Sequence, residues 1–241
     1  MEPINVVLLT IVCICAGFVQ RVSGFGLGIF AMIFLPYLLP SPVAAASILG
    51  ICSMATSSLN AVKYRRDINF KTVLPMMIAA LLSTTVAVLF SREVPKSLFE
   101  ILLGAVLIVL SIYFLFFGNS VKIRPGTLGG AVSGTLSGVL NGLFSTGGPP
   151  AVVYLTEVSA SNAEYFAGIQ LFFAVSNIYA TIMRAFSGLL TLDVLAMSVF
   201  GLLGCIMGDF LGRFVFDKLN AVVLRRIIYI GMAVSGIIMI V

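Results

Sequence analysis

Apolar runs long enough to cross a bilayer recur along this chain from near its start to its end, and that repetition constrains the fold before any motif is read. A membrane-spanning helix needs about 20 predominantly apolar residues. Runs of that order occupy 42–62, 72–90, 98–117, 126–144, 165–183, 189–208 and 221–241. Backbone groups in lipid must be satisfied within their own segment, so such runs fold as helices. A chain that is 60% hydrophobic and 10% charged does not fit a soluble domain. The expectation is an all-α polytopic membrane protein with about eight transmembrane segments, multi-pass in the lipid bilayer of a cell (inner or plasma) membrane.

Two of the apolar stretches are broken by residues that a continuous span would not use. Ser145-Thr146-Gly147-Gly148-Pro149-Pro150 interrupts one, and Ser23-Gly24-Phe25-Gly26-Leu27-Gly28 interrupts another. Their neighbourhoods align at an offset of 121 residues, pairing Gly17 with Gly138, Gln20 with Asn141 and Gly26 with Gly147. A broken segment at corresponding positions of two halves is the sequence pointer to a transporter site. The halves are read as residues 1–120 and 121–241, each a broken pair followed by three spans. In the first half, 4–39 divides into two arms of roughly 16 residues, near 24 Å each as helix and marginal for a full crossing. In the second half the arms are 126–144 and 149–156.

The positive charges decide whether a broken pair crosses once or returns. A single crossing puts Lys63, Arg65, Arg66, Lys71, Lys122, Arg124 and Arg184 on one side, against Arg92, Lys96, Arg213, Lys218, Arg225 and Arg226, which is 7 to 6. A returning hairpin moves Arg213, Lys218, Arg225 and Arg226 to join Lys63 through Arg124 and leaves Arg92, Lys96 and Arg184 opposite, which is 10 to 3. Positive-inside bias favours the hairpin, with both termini outside. Each half then makes an odd number of crossings, and the halves become inverted repeats. Whether the hairpin arms are re-entrant or fully crossing is left open by this count. Met1-Glu2-Pro3 lacks a basic n-region, so the first apolar run is expected to be retained.

The candidate binding residues fall into two sets. Around the breaks, Gln20, Arg21, Ser23, Gly24, Gly26, Asn141, Ser145, Thr146, Gly147 and Gly148 offer backbone N–H groups and polar side chains where an anion can sit at a helix N-terminus. Pro149 and Pro150 suit the first turn of the second arm, with Ser145 or Thr146 as its cap. Further along, Gln170, Ala174, Asn177, Thr181 and Arg184 recur at spacings of four and three, so they share one face of a helix. Ser53, Ser57 and Asn60 repeat the last three of these positions at an offset of 124. Polar residues inside spans face the protein interior or a water path; the plainer reading is interhelical hydrogen bonding alone. Arg21 and Arg184 are the intramembrane cations that can balance an anion, since a guanidinium engages two oxygens of a sulfonate, sulfite or carboxylate. Asp209 can form an ion pair or accept a proton, but its place near a predicted helix end favours a solvated cap-side carboxylate. Glycines at 130, 134, 138 and 142, and at 204, 208 and 212, form ridges for close helix packing.

Other classes find little support. The sequence has no His, and Cys13, Cys15, Cys52 and Cys205 lack the spacing of a zinc or redox site, so no metal and no cofactor is expected. No phosphate-binding loop ending in Lys-Ser or Lys-Thr is present. An enzyme would need clustered nucleophiles or paired acids. The net charge of +5 sits mainly in loops, which implies topology and no nucleic acid. A non-transport assembly or structural partner in the membrane stays as the alternative.

The motifs Gly17-Phe18-Val19-Gln20-Arg21-Val22-Ser23-Gly24-Phe25-Gly26 and Gly138 through Gly147-Gly148-Pro149-Pro150, opening the two halves, resemble the sulfite exporter TauE/SafE family. The resemblance covers essentially the whole chain. It implies a secondary transporter of small sulfur-containing or organic anions, of sulfite, sulfonate or sulfoacetate type. Two departures stand out: Pro149-Pro150 replaces a glycine-richer run, and Arg21 faces Gly142 in the repeat alignment. The expected partners are the small anionic substrate and the bilayer; a coupling proton or sodium ion and a homodimer are open.

Overall fold

A computed structural model describes residues 3–117, 126–215 and 221–241. Among the described residues there is no strand. The helices are α1 (Pro3–Ser23), α2 (Leu27–Met32), α3 (Leu35–Leu38), α4 (Pro42–Lys63), α5 (Phe70–Glu93), α6 (Lys96–Ile112), α7 (Thr127–Phe144), α8 (Gly148–Val158), α9 (Asn162–Phe186), α10 (Leu192–Val215) and α11 (Ala221–Ile240). A π turn over Tyr113–Phe117 continues α6. The chain is an all-α polytopic membrane protein. Among the described residues, six helices have the length and hydropathy of a span: α1, α4, α5, α6, α9 and α10. Helix α7 has 18 residues, but its glycines, serines and Asn141 lower its hydropathy.

The first broken pair differs from its expected shape of two equal arms. Helix α1 runs for 21 residues, while the return arm is split into α2 and α3. The split falls just before Pro36, which sits in the first turn of α3. Pro36 supplies no N–H for the Met32 carbonyl four residues back, and its ring crowds that carbonyl, so α2 cannot run on through it.

Helix α8 folds back along α7. Tyr154 Oη of α8 donates to the Gly126 carbonyl at the start of α7 (3.3 Å), and Ser133 Oγ of α7 donates to the Pro150 carbonyl. The side assignments agree with this return. Asn69 Nδ2, between α4 and α5, donates to Glu164 Oε1 at the start of α9 (2.8 Å). These residues lie on one membrane side only if the α7–α8 pair returns. We call this end the Tyr64 face and the opposite end, at the α5–α6 turn, the Arg92 face.

Helix α1 packs along α10, and α5 along α7; α4 crosses α9, and α6 lies against α11. If α1 corresponds to α7, α4 to α9, α5 to α10 and α6 to α11, the first two contacts exchange and the last two map onto themselves. The close approaches repeat too. A Cβ on Gly17 would run into the main chain at Cys205, and one on Gly138 into the main chain at Ala80. Cys13, Cys52 and Cys205 are buried; Cys13 and Cys52 both pack against Gly201.

The orientation is testable in a cysteine-free background. Ser91 is 3% exposed and would be a poor reporter, whereas Arg92 and Arg66 are exposed. With both termini outside, Arg92→Cys should react with an impermeant maleimide on intact cells and Arg66→Cys only after permeabilisation. The reverse pattern would invert the assignment.

Candidate functional site

The two breaks have related geometry. Helix α1 ends at Gly24, whose N–H bonds the Gln20 carbonyl (2.8 Å) and whose φ is 79°. Helix α7 ends at Ser145, whose N–H bonds the Asn141 carbonyl (3.0 Å) and whose φ is 54°. Positions 24 and 145 thus both take the left-handed conformation that closes a helix C-terminus. Each tip is tied to a long helix of the other half. Gln170 Nε2 of α9 donates to the Gly24 carbonyl (3.3 Å), and Ser145 Oγ donates to the Ala46 carbonyl of α4 (2.7 Å). Ala46 and Gln170 differ by the same 124 residues that separate Ser53 from Asn177, which bond each other through Asn177 Nδ2 (3.1 Å).

A cavity of about 20 Å³ lies between the breaks and the crossing of α4 with α9. Gln20, Gly26, Ser53, Asn141, Ser145, Thr146, Gly147, Gly148 and Asn177, all expected from the sequence, line it. That volume holds about one water-sized sphere. Gln20 Oε1, Thr146 Oγ1 and Asn177 Oδ1 are buried there without a hydrogen-bond partner, although buried polar groups are nearly always satisfied. Gly147 caps α8, with no side-chain cap bond. The expected Ser145 or Thr146 cap is absent, because Ser145 Oγ is engaged by α4. Pro149 and Pro150 have no N–H, so the donors at this helix start come from Gly147 and Gly148.

Arg184 is 1% exposed and lies at the edge of this region. Its Nη2 donates to the Asn141 and Gly142 carbonyls (2.9 and 3.0 Å), which places a cation on the C-terminal turn of α7. Its Nη1 has no partner. A Cβ on Gly50 would stand 2.6 Å from that nitrogen, 3.4 Å from Ser145 Oγ and 3.6 Å from Thr181 Oγ1. No carboxylate forms a salt bridge with Arg184 among the described residues.

The remaining candidates sit elsewhere. Arg21 lies off the cavity, 4.0 Å from Asp209. Asp209 is accordingly an ion-paired carboxylate between α1 and α10, bound also by Arg213 at 2.6 Å, and not a solvated helix-end group. Its helix continues to Val215, further than the sequence pattern implied, so Asp209 is flanked by turns on both sides. Ser57 is buried without a hydrogen-bond partner for its hydroxyl; Asn60 is half-buried near the end of α4. The side chain of Ser23 lies outside the described residues. Leu27, Gly28, Ile29 and Phe173 also line the cavity and were not among the candidates. Gly28 continues the Gly24, Gly26 alternation, and a Cβ there would strike the Ser145 carbonyl. Phe173 is one turn before Asn177, and its carbonyl accepts from Asn177 Nδ2. A four-residue step back along the polar face would have found it.

The sequence matches the family profile described as Sulfite exporter TauE/SafE over residues 9–239. Searches of curated proteins and of solved structures give no match. With nearly the whole chain inside the family profile, and with apolar helices of spanning length to match, the protein belongs to the sulfite exporter TauE/SafE family and is a membrane transporter of sulfur anions.

Proposed function

We propose that the protein is a secondary transporter which moves small sulfur-containing or organic anions, of sulfite, sulfonate or sulfoacetate type, by alternating access. The halves 1–120 and 121–241 act as inverted repeats, and the anion binds between the two breaks, half-way along α4 and α9. One observation carries this reading. Arg184 is a buried cation without an acidic partner among the described residues, beside a polar cavity that holds unsatisfied groups. An uncompensated charge at membrane depth is costly, and an anion supplies its counter-charge.

The N–H groups of Gly147 and Gly148 at the start of α8 add donors and the positive end of a helix dipole. The site residues divide the work: Gly147, Gly148, Thr146 and Arg184 attract the anion, while Gln20, Ser53, Asn141, Ser145 and Asn177 shape the cavity. Gly24, Gly26 and Gln170 position the breaks, and Ser57, Asn60 and Thr181 continue the polar faces of α4 and α9. Alternating access moves the two halves relative to each other to admit and release the anion. Coupling to a proton or sodium ion, and a homodimer, are compatible with this arrangement.

A thermal-shift series on purified protein separates transport from a purely structural role in the membrane. Sulfite, thiosulfate, sulfoacetate, taurine and a simple carboxylate are compared at equal ionic strength. Binding stabilises by about 2.7 kcal/mol at a hundred times the dissociation constant, enough to move the melting temperature by several degrees. Sulfur oxyanions should give the largest shifts. Equal responses to every salt would support the structural partner instead.

A further inference from the structure

A cavity of about 460 Å³ opens at the Arg92 face. It lies between residues 40–44 at the start of α4, the α5–α6 turn with Arg92 and Lys96, and the α9–α10 connection with Gly188, Leu189 and Asp193. Phe99 forms part of its wall and meets Phe144 edge-on, with ring centroids 5.0 Å apart. The residue after Phe144 is Ser145, which borders the central cavity. Arg92, Lys96 and Asp193 are the charged groups among the lining residues. Arg92 pairs with Glu93 and Lys96 with Glu100, both at 3.8 Å, so the mouth carries no net positive charge and its case as a path rests on its shape and position.

The offset of 124 that relates Ser53 to Asn177 carries 40–44 onto 164–168 and 64–70 onto 188–194. The same two segments therefore recur at opposite faces, but in different states. At the Arg92 face they stand apart and border the cavity. At the Tyr64 face they touch: Asn69 bonds Glu164, and the Tyr64 ring meets the Phe166 ring edge-on at 4.9 Å. Phe166 also covers the first break, 4.0 Å from where a Cβ on Gly24 would lie.

From this difference between related ends we infer that the Arg92-face cavity is an access vestibule for the transported anion, separated from the central site by the Phe99–Phe144 ring pair, and that Tyr64, Phe166, Asn69 and Glu164 form the closed gate of the opposite face. The inference rests on the transporter reading above. Inverted repeats alternate by exchanging the arrangements of their related ends, so transport requires the Tyr64 gate to open as the vestibule closes.

The test uses protein whose four native cysteines are replaced. Ala44→Cys lines the vestibule, and Gly168→Cys, its counterpart 124 residues on, lies one helical turn after Glu164 in the closed segment. A Cβ at Gly168 would sit 3.3 Å from Val73 Cγ2, a contact that a small shift relieves. A water-soluble maleimide should label Ala44→Cys at least about tenfold faster, because the gated position reacts only through opening. Adding Tyr64→Ala should raise the Gly168→Cys rate. Equal rates, or no effect of Tyr64→Ala, would overturn the inference.

For transport, Asn69→Cys and Glu164→Cys are joined by a short bismaleimide. A thioether link is needed because sulfite cleaves disulfides. Joining should reduce sulfite flux in proteoliposomes to background while Ala44→Cys stays reactive. Undiminished flux through joined protein would refute the gate. If the unjoined protein carries none of the sulfur anions, the transporter reading fails, and the two labelling rates still decide whether the gate is closed.

Discussion

Replacing Arg184 with Met is expected to abolish sulfite transport and to remove the thermal stabilisation that sulfite confers. The side chain performs two tasks. Through Nη2 it holds the last carbonyls of α7, and through Nη1 it offers an unused donor and a full charge beside the break. Hydrogen bonds to charged groups contribute about 1.5–3 kcal/mol, so losing one contact to the anion lowers flux at subsaturating substrate by about tenfold to a hundredfold. Losing the charge itself lowers it further. The baseline melting temperature is a weaker guide, because removing an unpaired buried charge can stabilise while losing two backbone contacts destabilises. The decisive quantity is the anion-dependent shift. Arg184→Lys keeps the charge but cannot serve both carbonyls and an anion, and it should show a partial shift with reduced flux. A full sulfite shift together with normal flux in Arg184→Met would remove this residue from the site.

The largest loss of stability is expected at the glycine crossings. At Gly138 an added Cβ meets the Ala80 backbone and Ser83 Oγ, and at Gly17 it meets the Cys205 backbone. Main chain cannot swing aside as a side chain can, so Gly138→Val or Gly17→Val must push apart α7 from α5 or α1 from α10. Overpacking of this kind costs about 3 kcal/mol and sometimes more. Both variants should lose monodisperse protein on size-exclusion chromatography and melt well below the parent. Gly231→Ala is the control: the nearest atom to its new Cβ is Ile33 Cδ1 at 3.6 Å, an ordinary contact. If Gly138→Val melts like Gly231→Ala, α5 and α7 are not in the contact described.

The polar face of α9 was legible because a helical period fixes which residues share a side, whatever they touch. The breaks were legible because Gly and Pro in an apolar run leave backbone groups that a lipid-exposed helix cannot tolerate. The destination of each cation was not legible. Arg21 and Arg184 both follow polar or break residues in apolar surroundings, yet Arg21 meets Asp209 across the α1–α10 contact while Arg184 turns onto α7. Their partners lie 188 and 43 residues away in sequence, and no local pattern encodes that pairing. The cap of α8 was misplaced for a similar reason: Ser145 has the chemistry of a cap, but a carbonyl on α4 holds its hydroxyl.

Sequence alone determined the helical membrane class, the positions of the two breaks and the residue types available to an anion. These follow from composition and from periods within a single segment. Tertiary structure decided that the return arm of the first break is split into α2 and α3, that Ser53 and Asn177 meet where α4 crosses α9, and that Arg184 rather than Arg21 stands by the cavity. It also decided that related segments are apart at one face and together at the other. Such choices depend on which helices pack together, and packing is set by steric fit between distant glycines, carbonyls and side chains.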